Sequence, residues 1–147
     1  MFKHILLPTD GSAVAAKAVK AGIALARELG ARVTGYYALE SALPPIYAEG
    51  YIADPRTLAL MERRAKEYGE QQIAAMAKLA KAAGVRFQGV CAEAETPAEG
   101  IVRTASRKGC DSIFIASHGR RGIAKLVMGS VTDRVLRTSR VPVVVFR

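Results

Sequence analysis

Two short polar clusters hold the residue types from which an anion site is built. One is Pro8-Thr9-Asp10-Gly11-Ser12; the other is Ser117-His118-Gly119-Arg120-Arg121-Gly122, with Gly129-Ser130-Val131-Thr132 after six further residues. Glycine lets the main chain approach a ligand closely, and successive exposed N–H groups cradle phosphate oxygens. In the second cluster Gly119, Gly129 and Ser130 would present such groups, and Arg120 and Arg121 add charge suited to an anion. The helix that starts near Ser130 would point the positive end of its dipole the same way. Ser130 and Thr132 also carry hydroxyl donors, although N-capping would occupy one of them. In the first cluster Asp10 could accept from ribose hydroxyls or help to hold a divalent ion between phosphates. The plainer alternative is a turn at Asp10 and a helix cap at Ser12. His118 carries two readings, a ring packed beside the loop or a donor to phosphate.

Other chemistries find less support. Neither GxxxxGK[ST] nor GxGxxG occurs, so neither a P-loop NTPase nor a dinucleotide enzyme is supported. Half of a GxSxG elbow surrounds Ser117, but Ile115 stands at its first glycine position, where a strained turn tolerates a β-branched residue poorly. No carboxylate pair divides into an acid and a base. Cys91 and Cys110 form no CxxC pair, and with His4 and His118 as the only histidines no metal-ligand spacing exists. Both thiols read as small, buried and reduced.

The elements that must position these clusters alternate between short apolar runs and helical periodicity, the pattern of parallel strands joined by crossover helices. Strands are expected at 2–7, 32–38, 85–91, 112–116 and 141–146. Ser12 caps a helix with Val14, Ala18, Ala21, Leu25 and Leu29 on its apolar stripe, ending at Gly30. A long helix over 57–83 carries Leu58, Met61, Ala65, Tyr68, Met76 and Leu79 on its core stripe, Pro97 opens a helix to Lys108, and a last helix spans 130–138. Residues 40–55 break this rhythm with prolines and aromatics, as a flap over a ligand or as a surface that packs on a partner. Pro142 places the final run at a strand start or sheet edge, where pairing with a second copy is plausible unless the chain covers it. In a 3-2-1-4-5 sheet both polar clusters would converge at the strand-order reversal.

The chain's 147 residues and 50% hydrophobic content fit one domain with a substantial core. Its net charge of +9 is concentrated, because residues 103–147 hold ten basic residues against Asp111 and Asp133. Such an excess attracts phosphate, nucleic acid or an acidic protein surface, or simply solvates a helix face. Nucleic acid is the weakest of these readings, since Phe114 and Phe146 of that region lie in strands. The N-terminal apolar run ends at Pro8-Thr9-Asp10, too short for a signal peptide or membrane helix, so a soluble cytoplasmic protein with no membrane partner is expected.

Together these residues resemble the ATP-binding subgroup of the universal stress protein family. The resemblance spans residues 1–147 as one domain and rests on Ile5-Leu6-Leu7-Pro8-Thr9-Asp10-Gly11-Ser12, the Ser117–Arg120 loop, Gly129-Ser130-Val131 and Val141-Pro142-Val143-Val144-Val145. The family's nucleotide signature is Gly, two residues, Gly, nine residues, Gly, then Ser or Thr. Gly119, Gly129 and Ser130 match it, while Ala116 replaces the first glycine. If that position serves close approach, a methyl group is tolerable; if it needs positive φ, alanine is strained by about 1 kcal/mol or more. The resemblance implies an open five-stranded parallel sheet, order 3-2-1-4-5, with helices on both faces, a Rossmann-like fold of the adenine nucleotide alpha hydrolase type. It implies ATP with Mg²⁺ as ligand, with Pro8, Thr9 and Asp10 on adenosine, Ala38 against adenine, and Ile115 and Ala116 lining the same pocket. Gly119, Arg120, Gly129, Ser130, Val131 and Thr132 would surround the phosphates, and His118, on the second of its two readings, would donate to them. It also implies a homodimer through the strand at 141–146 and a regulatory role rather than an enzymatic one. No protein metal site is expected beyond Asp10 acting through nucleotide-bound Mg²⁺, any hydrolysis would be slow, and an acidic protein partner is the alternative role.

Overall fold

The computed structural model describes residues 2–40, 54–118 and 128–147. Along them run β1 (His4–Thr9), α1 (Ala13–Leu29), β2 (Arg32–Glu40), α2 (Pro55–Ala82), β3 (Phe87–Ala94), α3 (Pro97–Lys108), β4 (Ser112–Ala116), α4 (Ser130–Thr138) and β5 (Val143–Phe146). The strands form one five-stranded sheet in the order β3-β2-β1-β4-β5, and every neighbouring pair is parallel. The expected fold class therefore holds. The 41–53 segment, with its choice between flap and partner surface, lies outside the described residues, as do Gly119, Arg120, Arg121 and Gly122.

Side-chain alternation along the strands divides the core into two layers. Ile5, Leu7, Phe114 and Ala116 pack with α1 and α2 on one face. Leu6, Tyr36, Ile113 and Ile115 pack with α3 and α4 on the other. Leu6 and Leu7 are fully buried, and each such side chain contributes about 1.5–3 kcal/mol of hydrophobic stabilisation.

Local chemistry sets the element ends. Ser12 Oγ accepts from Ala15 N–H at 3.2 Å to start α1, and Gly30 closes that helix at φ 63°, a conformation glycine adopts without penalty. Thr96 caps α3 through Glu99 N–H at 3.3 Å, and Pro97 sits in its first turn.

Several expected boundaries and faces shift for identifiable reasons. β1 runs on through Pro8 and Thr9, paired with Tyr36 and Tyr37. β3 begins at Phe87 because Val85 N–H is engaged with Ala80 O, closing α2. β5 begins after Pro142, whose carbonyl accepts from Ile113 N–H but which has no N–H to donate. α2 starts at Pro55, two residues early, because proline suits a first helical turn.

On α1 the buried stripe is Ala15, Ala18, Val19, Gly22, Ile23 and Ala26, leaving Leu29 exposed. Small residues face the sheet because the helix lies close: a Cβ on Gly22 would collide with Leu7. On α2 the expected stripe is also rotated, with Gly69, Met76 and Ala80 buried while Met61, Tyr68 and Leu79 are exposed.

Candidate functional site

Beyond Leu6 the two central strands part. Among the described residues β1 pairs with β4 at Ile5–Ser112 and Leu6–Ile113, whereas it stays paired with β2 as far as Thr9–Tyr37. Pro8 has no N–H to continue a ladder. Strand order reverses here, and the carboxyl ends of β1 and β4 open a crevice of the kind in which parallel sheets place ligands.

The first wall is the loop after β1, fixed by side chains bonding to nearby main chain. Gly11 N–H donates to Thr9 Oγ1 at 3.1 Å, and Ser12 N–H donates to Asp10 Oδ1 at 2.9 Å. Gly11 sits at φ 79°, where other residues are strained. The plain reading of this cluster is thus realised, with Asp10 holding the turn and Ser12 capping the helix. Asp10 remains half-buried at the crevice edge.

The second wall is the N-terminus of α4, pinned to the exit of β4. Gly129 N–H donates to Ser117 O at 2.8 Å, and Thr132 Oγ1 donates to Ala116 O at 2.7 Å from a position only 3% exposed. Gly129 is the N-cap residue and no side chain caps the helix; its first internal bond is Asp133 N–H to Gly129 O at 2.9 Å. The N–H groups of Ser130, Val131 and Thr132 therefore find no partner among the described residues, as the first turn of a helix dictates. These donors, with the helix dipole behind them, favour an anion by about 0.3–1 kcal/mol and up to about 2 kcal/mol when partly buried. Asp133 does not cancel that field, because its carboxylate is drawn to Arg137 Nη2 at 2.8 Å.

This geometry revises two expectations. Ser130 is the first helical residue rather than the cap, and the Thr132 hydroxyl proton is committed to Ala116, which leaves Thr132 its main-chain N–H as the donor it could offer an anion. His118 Nδ1 lies 3.0 Å from Ser117 Oγ, which ties the ring to the loop through one nitrogen. Ser117 itself is 6% exposed, and its N–H donates to Phe146 O at 2.7 Å, a strand-end role rather than a nucleophile's.

Ala116 ends β4 as a paired strand residue opposite Phe146. Its backbone is extended, so the requirement for positive φ falls away. Its methyl group belongs to the α1-side core. Ile115 projects into the α3-side core, as neighbours on a strand must. Ala38, near the end of β2, is half-buried against that same core.

One residue that the sequence assigned to the core stands beside the site instead. Tyr68 packs edge-on against Tyr37, with centroids 6.0 Å apart, and its hydroxyl covers the face of Gly11, where a Cβ would collide with it. The available signal was Gly69 on α2, which lets that helix approach Tyr37 and Cys91.

Among the described residues no group of three His, Cys, Asp or Glu side chains could hold a metal ion, and no helix is long and apolar enough to cross a membrane.

Comparison with known proteins agrees with the fold. The family model described as the universal stress protein family matches residues 1–147. Universal stress protein MJ0531 of Methanocaldococcus jannaschii is 32% identical over 148 residues, covering 100% of this chain and 83% of that protein. The solved structure of protein MJ0577 superposes with a TM-score of 0.82 at 26% identity, over 99% of this chain and 95% of that one. A universal stress protein in complex with cAMP superposes with a TM-score of 0.73 at 19% identity, over 99% and 97% of the two chains. The chain belongs to the universal stress protein family.

Proposed function

We propose that the crevice binds an adenine nucleotide, ATP with Mg²⁺, and that the protein is a cytoplasmic, nucleotide-regulated stress-response factor. Pro8, Thr9, Asp10 and Ala38 border the nucleoside, and Gly129 to Thr132, with Gly119 and Arg120, receive the phosphates. The observation that carries this reading is the uncapped N-terminus of α4, held at the β4 exit by the Gly129–Ser117 and Thr132–Ala116 bonds. Those main-chain donors fit phosphate oxygens. The extended, core-facing Ala116 removes the strain that its departure from the glycine signature would have brought. The neighbour that holds cAMP supports the ligand class at the level of the fold.

Mg²⁺ would arrive with the nucleotide and neutralise phosphate charge. The chain's part is to bind and orient; among the described residues none stands out to activate water, in keeping with a sensor rather than an efficient hydrolase. Its cysteines are free, in keeping with a reducing compartment. The half-buried edge strand β5 supplies the surface for a homodimer.

Titration calorimetry with Mg²⁺-ATP tests the binding. A saturable heat, accompanied by a rise in melting temperature, is the expected result. Neither heat nor thermal shift at millimolar nucleotide would overturn the proposal.

A further inference from the structure

At the far end of α4 from the crevice, the last turns of α3 and the α4–β5 junction enclose a groove of about 420 Å³. Its floor includes Val102 and Val141, half-buried hydrophobics packed on the α3-side core. Around it stand Arg103, Arg107 and Arg140, with Ser106 between the first two, and no Asp or Glu lines it. Arg103 Nη2 donates to Glu93 O at 2.8 Å, which ties that guanidinium to the end of β3, so Arg103 borders the groove without offering its charge to it. Arg107 and Arg140 make no hydrogen bond or ion pair among the described residues. Arg103 and Arg107 are an i,i+4 pair of like charges, an arrangement that costs a helix stability rather than adding to it. Arg107 and Arg140, without a counterion among the described residues and beside apolar side chains, are complementary to a ligand that carries carboxylates beside an aliphatic group.

The lining also separates possible occupants. A small phosphate would engage the charges and leave the valine floor wet. A nucleic acid strand would find no aromatic ring to stack upon, because none lines the groove. We infer that this groove docks an acidic segment of a partner protein, its carboxylates paired with Arg107 and Arg140 and an aliphatic side chain seated on Val102 and Val141. The surface is independent of the nucleotide crevice and does not depend on nucleotide binding.

The test is fluorescence anisotropy with the full-length chain and a short labelled peptide of Asp and Glu carrying two leucines. The Arg107→Glu/Arg140→Glu variant is expected to weaken binding at least about tenfold, and Arg107→Gln/Arg140→Gln somewhat less, with melting temperature and Mg²⁺-ATP titration unchanged. Replacing both peptide leucines by serine should produce a comparable loss, because the floor is then unused. Three outcomes would overturn the inference. One is an equal loss from Lys17→Glu/Lys20→Glu on α1, which would make the effect one of net charge. Another is equal affinity for labelled oligouridine or displacement of the peptide by inorganic tripolyphosphate. The last is a change in molecular mass by light scattering in the arginine variants, which would make the groove a contact between copies.

Discussion

Replacing Gly129 probes the proposed phosphate site at its tightest point. At φ −64° and ψ 146° any residue fits the backbone, so the effect of a side chain is steric alone. An added methyl group would meet His118 Cα at 3.0 Å, and His118 Cβ and Ser117 O at 3.4 Å. These atoms belong to or adjoin the main chain at the β4 exit and cannot swing aside. The helix start must retreat by a few tenths of an ångström, stretching the 2.8 Å bond from Gly129 N–H to Ser117 O. Overpacking of this kind costs about 1–3 kcal/mol, so Gly129→Ala should lower the melting temperature by a few degrees and Gly129→Val by more. The effect on binding is larger in proportion. A hydrogen bond to a charged group contributes about 1.5–3 kcal/mol, and misplacing one N–H donor therefore weakens nucleotide binding by about ten- to a hundredfold. Calorimetric titration of Mg²⁺-ATP, beside thermal melts of the unliganded variants, measures both quantities. A folded Gly129→Val protein that binds nucleotide as tightly as the wild type would refute the assignment of phosphate to the α4 N-terminus.

Further outcomes follow from other contacts. Thr132→Val keeps the shape of the side chain but leaves Ala116 O without its hydroxyl partner, so urea unfolding should show a loss of about 1–3 kcal/mol that Thr132→Ser largely restores. Burial, reinforced by Arg32, holds His4 below its ordinary 6.5 against the opposing pull of Gly109 O and Asp111. The unfolded chain then takes up the proton first, so stability that is full above pH 6.5 declines as pH falls toward the folded-state value, by at most about 1.4 kcal/mol per pH unit. Urea midpoints near pH 7.5 and near pH 5.5 should therefore differ more for the wild type than for His4→Gln, and equal differences would exclude His4 as the source. The carbonyls of Pro142 and Phe146 accept from β4, so the alternate residues Val143 and Val145 turn their N–H groups toward the open edge. Val145→Pro should leave a folded monomer and abolish the proposed dimer in sedimentation analysis, whereas a retained dimer would place that interface elsewhere.

Much of the fold was legible because it rests on local rules. Alternation of apolar runs with helical periodicity, Ser12 as a cap, Pro97 in a first turn and Gly30 as a helix end locate the parallel α/β plan without reference to distant contacts. The glycine-bearing segments after the first and fourth strands mark one crevice in the same way. Helix faces were harder to read: Leu29 on α1 and Met61, Tyr68 and Leu79 on α2 fit apolar stripes by spacing but stand exposed. Which arc of a helix is buried depends on how closely it approaches the sheet, and Gly22 and Gly69 decide that only when their neighbours are in place.

Residue types and their order along the chain were enough to determine the strand–helix alternation, the family resemblance and the candidate anion-binding loop, since each arises from short-range stereochemistry. Tertiary structure alone decided that Ala116 is an extended residue with its methyl in the core, that Thr132 spends its proton on Ala116 O, and that Tyr68 covers Gly11. It also gathered Arg103, Arg107 and Arg140, from two separate parts of the chain, around one groove. Each of these facts depends on contacts between distant segments, and spacing along a sequence carries no measure of their separation in space.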